Sequence, residues 1–409
     1  MGRHLRIGLL IESSRAYGRN LLYGIAAYAK AHGPWTLYYQ ERAIDAPMPA
    51  AMRRWRPDGL LVRIVDARFG RQVLRLGVPV VGLLGQRFYR GVPEVIPDQA
   101  ALTQLAAEHL LQRGLRQFAY VGFRKVLFSD QRREFFRKYM QAKGFQVHVF
   151  EDGGLQHAVG LSQIVGLAQI EEDTARHGRE LADWLSGLPK PVGVYACNDI
   201  RAYQVLSVCG EYGIAVPDAV AVVGVDNDPV LCQLSDPPLS SVDPNAGRIG
   251  YEAAGTLHRM IDGSGPLPPS QILIAPAGVV PRLSTDILAV ADREVADAVR
   301  YIRQHACDGV SVVALAERAA MSRRTLERRF AQHVGHSPST EITRVQLRRV
   351  QELLVGSDFS LEKVARAAGF SHLESMHRLF KNTFALTPGE YRKSQRPIGT
   401  AEMPRGLDF

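Results

Sequence analysis

The chain predicts two architectures in succession. Residues 1–285 read as a two-lobed α/β domain of parallel sheets with helices on both faces, and 292–396 as an all-α domain carrying two helix-turn-helix motifs. Three observations carry this reading. Up to residue 285, short apolar runs alternate with amphipathic helical stretches. Beyond it, Ser311–Pro338 (SVVALAERAAMSRRTLERRFAQHVGHSP) and Ser360–Pro388 (SLEKVARAAGFSHLESMHRLFKNTFALTP) are diverged copies of one segment. Basic residues also gather around the copies: residues 288–396 hold 18 Lys+Arg against 12 Asp+Glu, in a chain of net charge +9.

The strand-like runs of the first part are RIGLLI (6–11), WTLYYQ (35–40), DGLLVRI (58–64), VPVVGLL (78–84), QFAYVGF (117–123), QVHVF (146–150), PVGVYAC (191–197) and VAVVGVD (220–226). Helical patterns such as 20–33, 99–114 and 200–213 lie between them, and each of these closes on a glycine, as helix C-termini favour. Nearly continuous apolar strands alternating with helices imply parallel sheets buried on both faces. The number of units exceeds what one such sheet usually holds, so two lobes are expected. A linker over 286–291 and a flexible tail over 397–409 complete the division.

Composition narrows the class. With 409 residues, 46% hydrophobic and 22% charged, the chain is an ordinary folded protein with room for several cores. The four cysteines (Cys197, Cys209, Cys232, Cys307) show no paired or metal-ligand spacing, so they read as reduced core thiols, with no metal and no cofactor implied. MGRHLRIGLLIESS enters a strand without the apolar stretch of a secretory signal, and no run reaches a membrane span, so a cytoplasmic location off the membrane is expected. No G-x-G-x-x-G, P-loop, H-E-x-x-H or G-x-S-x-G is present, so no catalytic residue is assigned and an enzyme is not expected.

In open α/β sheets ligands sit beyond the C-terminal ends of the strands. That rule singles out Asp98 (after EVIP), Asn198 (after VGVYAC), Asp226 (ending VAVVGVD) and Arg132, shortly after QFAYVGF. Two carboxylates, an amide and a guanidinium supply planar acceptors and donors for vicinal hydroxyls. Each also has a purely local role open to it. Asp98 or Asp199 can cap a helix, Asp226 can be a turn residue, and Arg132 a surface charge.

In the repeat, Ser311, Ala316, Ala319 and Ser322 recur 49 positions on, whereas Arg328, Phe330 and Pro338 recur 50 positions on. One insertion therefore lies in the turn or just after it. Doubled, this helix pair can reach two successive major-groove faces of double-stranded DNA. Leu326 and Phe330 define the core face of the first recognition helix, with Arg323, Arg324, Thr325 and Arg328 as candidates for DNA. In the second copy the candidates are His372, Ser375 and Arg378, over a core of Met376, Phe380 and Phe384. Ser371-His372-Leu373-Glu374 reads as a capping box, which gives Glu374 to the helix end. Ala385 falls where a left-handed cap favours glycine, at a cost of about 1 kcal/mol. Between the copies, 341–356 reads as a rigid helix with Ile342, Val345, Val350, Leu353 and Leu354 on one face. Its Arg344, Arg348 and Arg349 lie mostly outside that stripe.

Residues 1–285 resemble the effector domain of LacI-type regulators and the periplasmic sugar-binding proteins, through IPDQAALTQLAAEHLLQRGLRQFAYVG, RREFF, VYACND, VAVVGVDN and VVPRLST. The resemblance implies sugar contacts for Asp98, Arg132, Asn198 and Asp226. Through IESSRAYGRNLLYGI it places Ser13, Tyr17 and Arg19 near the same cleft. In RREFF, Phe135 replaces a residue that is usually small, which bears on helix packing there. Residues 290–394 resemble the AraC-family DNA-binding domain, through ALAERAAMSRRTLERRF and KVARAAGFSHLESMHRLFKNTFALTPGEYR. The combination implies a sugar-responsive transcriptional activator: a homodimer on operator DNA, acting with RNA polymerase, with D-xylose or a related sugar as effector. Two alternatives are a different sugar, or a first domain that only dimerises.

Overall fold

The computed structural model describes residues 4–43, 46–64, 66–85, 89, 91–152, 174–264, 268–287 and 292–395. The expected linker beyond Ile287 and the expected tail lie outside these residues. The chain separates into two compact units, Met1–Ile287 and Leu288–Phe409.

The first unit holds two six-stranded sheets. Lobe 1 contains β1 (Leu5–Leu10), β2 (Trp35–Tyr38), β3 (Gly59–Val62), β4 (Val80–Gly82) and β5 (Glu94–Pro97), with α1 (Ala16–His32), α2 (Ala50–Trp55) and α3 (Ala67–Leu74). The chain then crosses to lobe 2, beginning with α4 (Gln99–Leu111). There β6 (Gln117–Phe123), β7 (Val147–Asp152), β8 (Val192–Ala196), β9 (Val220–Val225) and β10 (Ser240–Asp243) alternate with α5 (Leu127–Ala142), α6 (Thr174–Gly187), α7 (Asp199–Glu211) and α8 (Pro229–Leu234). A second crossing leads to α9 (Ala246–Asp262) and β11 (Gln271–Ile274) on lobe 1, and a third to β12 (Gly278–Val280) on lobe 2.

The strand orders are β11-β5-β4-β3-β1-β2 and β12-β10-β9-β8-β6-β7. Among the described residues every pairing is parallel except β12 against β10. β8 and β9 are buried along their whole length, as strands covered on both faces must be. The three crossings lie side by side. The Asp98 amide donates to Ile274 O at 2.9 Å, and the Ala277 amide to Asp243 O at 3.0 Å. Phe135 stands exposed on α5, so its bulk enters no core and leaves the packing of that helix undisturbed. Cys197, Cys209 and Cys232 are buried thiols, whereas Cys307 is half-buried.

The end of this unit is tied down by a buried polar network. Ser240 Oγ lies 2.7 Å from Thr285 Oγ1, His109 Nε2 lies 2.8 Å from the same hydroxyl, and Ser284 Oγ donates to Val222 O at 2.6 Å. Burial, then the charge of Arg113, push His109 down to about 3, so it sits neutral in this network.

The second unit is helical: α10 (Arg293–His305), α11 (Val312–Arg318), α12 (Arg323–Val334), α13 (Pro338–Gly356), α14 (Leu361–Ala367), α15 (Leu373–Phe384) and α16 (Pro388–Gln395). Serine caps start four of them: Ser311, Ser322, Ser337 and Ser360 each accept the backbone N–H three residues on. Each copy has its own core. Val295, Leu315, Leu326 and Phe330 belong to the first, and Val364, Met376 and Phe380 to the second. α13 serves both: Ile342 and Val345 pack in the first core, Leu347, Val350, Leu353 and Leu354 in the second.

Candidate functional sites

Beyond the C-terminal ends of the strands, the first unit has a cleft of about 390 Å³. Lobe 1 supplies Arg15 from the β1–α1 turn and Tyr17 and Arg19 from the start of α1. Lobe 2 supplies Asp199, Asp226 and Asp228. This volume suits a small ligand.

Asp226 follows β9 with φ 115°, and Asn227 follows with φ 48°, a left-handed excursion that non-glycine residues seldom make. The surroundings hold it. The Asp226 amide donates to Val242 O at 3.0 Å, and the Asn227 amide to Ser241 Oγ at 3.0 Å. The Asp228 amide donates to Asp199 Oδ2 at 2.8 Å, and Arg282 Nη2 donates to Asn227 Oδ1 at 2.8 Å. Strain over-determined in this way marks a backbone kept for a purpose. Burial pushes the Asp226 carboxyl up to about 6, while Arg132, Arg15 and Arg63 work in the opposite direction.

Arg132 is only 4% exposed, so it is no surface charge. Its Nε donates to Gln99 Oε1 at 2.9 Å, its Nη1 to the Cys197 carbonyl, and its guanidinium lies 5.2 Å from the Phe128 ring. It thereby ties the residue after Asp98 to the residue before Asn198. Asp98 caps α4 through Oδ1, which accepts from Ala100 and Ala101 at 3.0 Å. Asn198 caps α7 through Oδ1, which accepts from Arg201 at 2.9 Å. Asp199 is no cap; buried, it takes Ser241 Oγ at 2.6 Å and braces the Asp226 loop. Tyr17 and Arg19 line the cleft. Ser13 turns away to accept the Arg42 amide at 3.4 Å, while its carbonyl accepts Arg19 Nη1 at 2.9 Å.

Sequence reasoning passed over Arg15, Arg63 and Glu12. Arg63 reads as part of the run DGLLVRI, but β3 ends at Val62 and Arg63 stands just past it. A charge placed immediately after a buried strand is the signal that marks it.

In the second unit, Arg323, Arg324 and Arg328 are exposed along α12, with Arg323 Nε donating to Glu327 Oε1 at 2.8 Å. The Thr325 hydroxyl lies 2.8 Å from Ser322 Oγ, inside the helix cap. Arg329 has a different duty. It binds Asp292 twice, at 2.5 and 2.6 Å, and Glu294 at 2.7 Å, fastening α12 to the start of α10. This hydrogen bonding holds the Asp292 carboxyl down at about 2.

The capping box expected at Ser371–Glu374 does not form. α11 to α12 takes a four-residue turn, and α14 to α15 takes five. The extra residue, Ser371, moves the cap position to His372, and no side chain caps α15. Glu374 is left exposed. His372 and Arg378 are exposed and Ser375 is half-buried. Ala385 takes the left-handed cap outright, with φ 57°, so the turn accepts the cost instead of changing shape.

The copies are held to each other. Gln346 Nε2 on α13 donates to both Ala306 O and Gly369 O at 3.0 Å. Among the described residues, no group of three or more His, Cys, Asp or Glu side chains is placed to hold a metal ion, and no helix is long and apolar enough to cross a membrane.

Comparison with known proteins agrees with this anatomy. Residues 107–285 match a periplasmic binding protein-like domain, and 315–394 a helix-turn-helix domain. The xylose operon regulatory protein of Escherichia coli K12 is 31% identical over 95% of this chain and 97% of its own length. That of Haemophilus influenzae Rd is 29% identical, over 95% and 98%. A solved structure of a xylose-binding transcription activator superposes with a TM-score of 0.74 at 30% identity, covering 97% of this chain and 99% of the other. A two-lobed α/β domain with a cleft at its strand ends, continued by an AraC-type pair of helix-turn-helix motifs, defines a DNA-binding transcription regulator. The chain belongs to the family of the xylose operon regulatory proteins.

Proposed function

We propose that this regulator responds to D-xylose or a closely related neutral sugar, bound between the lobes by Asp98, Arg132, Asn198 and Asp226 with Tyr17 and Arg19. We further propose that it acts in the cytoplasm as a homodimer, activating pentose catabolic genes with RNA polymerase. The observation that carries the sugar reading is the strained, braced Asp226, which meets Tyr17 and Arg19 across one cleft. A neutral ligand fits the charge balance. In the cleft lining Arg15 and Arg19 face three carboxylates, Asp199, Asp226 and Asp228, an arrangement a phosphate would not find favourable. Asp98 and Asn198 each spend one oxygen on a helix cap. Asp98 Oδ2 and the Asn198 amide nitrogen remain for hydroxyls.

The sugar acts by shifting a population: closing the lobes favours one disposition of the two protomers, and with it operator engagement by Arg323, Arg324, Thr325 and Arg328 and by His372, Ser375 and Arg378. Calorimetric titration with pentoses and hexoses, paired with operator titrations with and without sugar, tests this reading. Asp226→Ala and Asn198→Ala abolish the sugar response while leaving basal operator binding. A sugar that needs the ionised Asp226 loses affinity about tenfold per pH unit once the pH drops below about 6. Sugar-independent operator binding by the native protein would leave only a dimerising role for the first unit.

A further inference from the structure

Glu12 and Arg63 stand just past the C-terminal ends of β1 and β3, neighbouring strands of lobe 1 whose ends face the cleft. Glu12 is 1% exposed, deep among apolar strand ends. Its Oε1 accepts from Arg63 Nη1. The guanidinium lies 5.0 Å from the ring of Tyr17, which lines the cleft. One oxygen of the carboxylate and one nitrogen of the guanidinium remain: Glu12 Oε2 and Arg63 Nε are both buried without a hydrogen-bond partner. A buried charged pair is tolerated when its remaining lone pair and proton are satisfied. Here neither is satisfied, and the pair adjoins the cleft through Tyr17, which lines it. Across the cleft stands Asp226, whose charge and that of Arg63 act on each other.

We propose that Glu12 and Arg63 are the lobe-1 half of the ligand site, with Glu12 Oε2 accepting from one hydroxyl of the sugar and Arg63 Nε donating to an oxygen beside it. The proposal rests on the sugar-sensor reading above and deepens it. With Tyr17 presented by the stacked guanidinium, lobe 1 offers an acceptor and a donor side by side, opposite the carboxylate of lobe 2. Such a jaw selects a neutral polyol with two neighbouring oxygens, and Glu12 together with Asp226 turns away a sugar acid.

The test is a grid of titrations on the full-length protein: native, Glu12→Gln and Arg63→Lys, each against D-xylose and its monodeoxy analogues. Glu12→Gln keeps the bond to Arg63 but turns the unpartnered acceptor into a donor. Arg63→Lys keeps the charge but removes Nε and the stacking plane. Each variant is expected to bind D-xylose roughly 10- to 100-fold more weakly. The decisive readout is non-additivity: the analogue that lacks the Glu12-bound hydroxyl binds native protein weakly and loses little more in Glu12→Gln. Losses that simply multiply across the grid, or variants that bind like the native protein, overturn the assignment while leaving the sensor reading intact. If Glu12→Gln fails to fold, the Arg63→Lys row decides by the same criterion. Native protein that binds none of the sugars overturns both.

Discussion

The two helix-turn-helix copies are built on one plan and equipped differently. α12 begins under a serine cap and shows Arg323 and Arg324 in its first turn; α15 begins without a side-chain cap and shows Leu373 and Glu374 at the matching positions. Arg329, which fastens the first copy to α10, is matched by Leu379, a half-buried packing residue. Even the left-handed positions are traded. The first copy spends alanine on its turn (Ala320, φ 49°) and glycine on its final cap (Gly335, φ 83°). The second does the reverse, with Gly369 at φ 80° and Ala385 at φ 57°. A duplicated fold can thus keep its backbone while its contacts diverge: the first copy shows more exposed positive charge at the start of its second helix, and the second has a tighter seat.

Breaking the first side of that comparison should produce the largest effect. Arg323→Ala and Arg324→Ala should each cost about 1–3 kcal/mol of operator affinity if they reach base edges. Leu373→Ala and Glu374→Ala should change it less than about threefold. Fluorescence anisotropy at fixed salt measures both pairs, and equal losses would erase the asymmetry. A phosphate-bound arginine would instead lower the salt slope by about one.

Next comes the seat. A Cβ on Gly369 would lie 2.7 Å from Cys307 Cα and 2.8 Å from its carbonyl oxygen, in a left-handed conformation. Gly369→Ala should destabilise the helical unit by about 2–4 kcal/mol in urea melts. Ala320→Gly, in the matching turn, should be neutral or mildly stabilising.

Smaller still is the cap. Ser322→Ala should cost about 1 kcal/mol, and Ser371→Ala close to nothing, because the inserted serine caps no helix. A measurable loss at Ser371 would mean that the capping box forms after all. The smallest effect is a gain. Ala385→Gly should raise stability by about 0.5–1 kcal/mol, and Gly335→Ala should lower it by a similar amount, read as opposite shifts in melting temperature.

The sheets were legible because parallel strands buried on both faces leave uninterrupted apolar runs, as at Val192–Ala196 and Val220–Val225. The last strands were not. QILI is a half-buried four-residue edge strand and GVV has three residues, too short for any periodicity to register. That hid the way the chain recrosses between lobes after β10 and β11. Asp98, Arg132, Asn198 and Asp226 could be placed by the strand-end rule, whereas Arg63 was concealed inside an apparent strand. The capping box failed for a geometric reason. A one-residue insertion leaves the S-x-x-E string intact but moves the helix start past its serine.

Gln346 carries a consequence for the operator. By bonding Ala306 and Gly369 from one amide nitrogen, it makes the two readers a single ruler, strung along a helix of 19 residues and about 28 Å. A ruler cannot follow a change in the phase of its target. One base pair inserted between the two contacted segments turns one of them by roughly 35° about the DNA axis, since a turn takes about 10.5 base pairs. Such an operator should be bound by one copy at a time, while an insertion of a whole turn, though back in phase, lies out of reach.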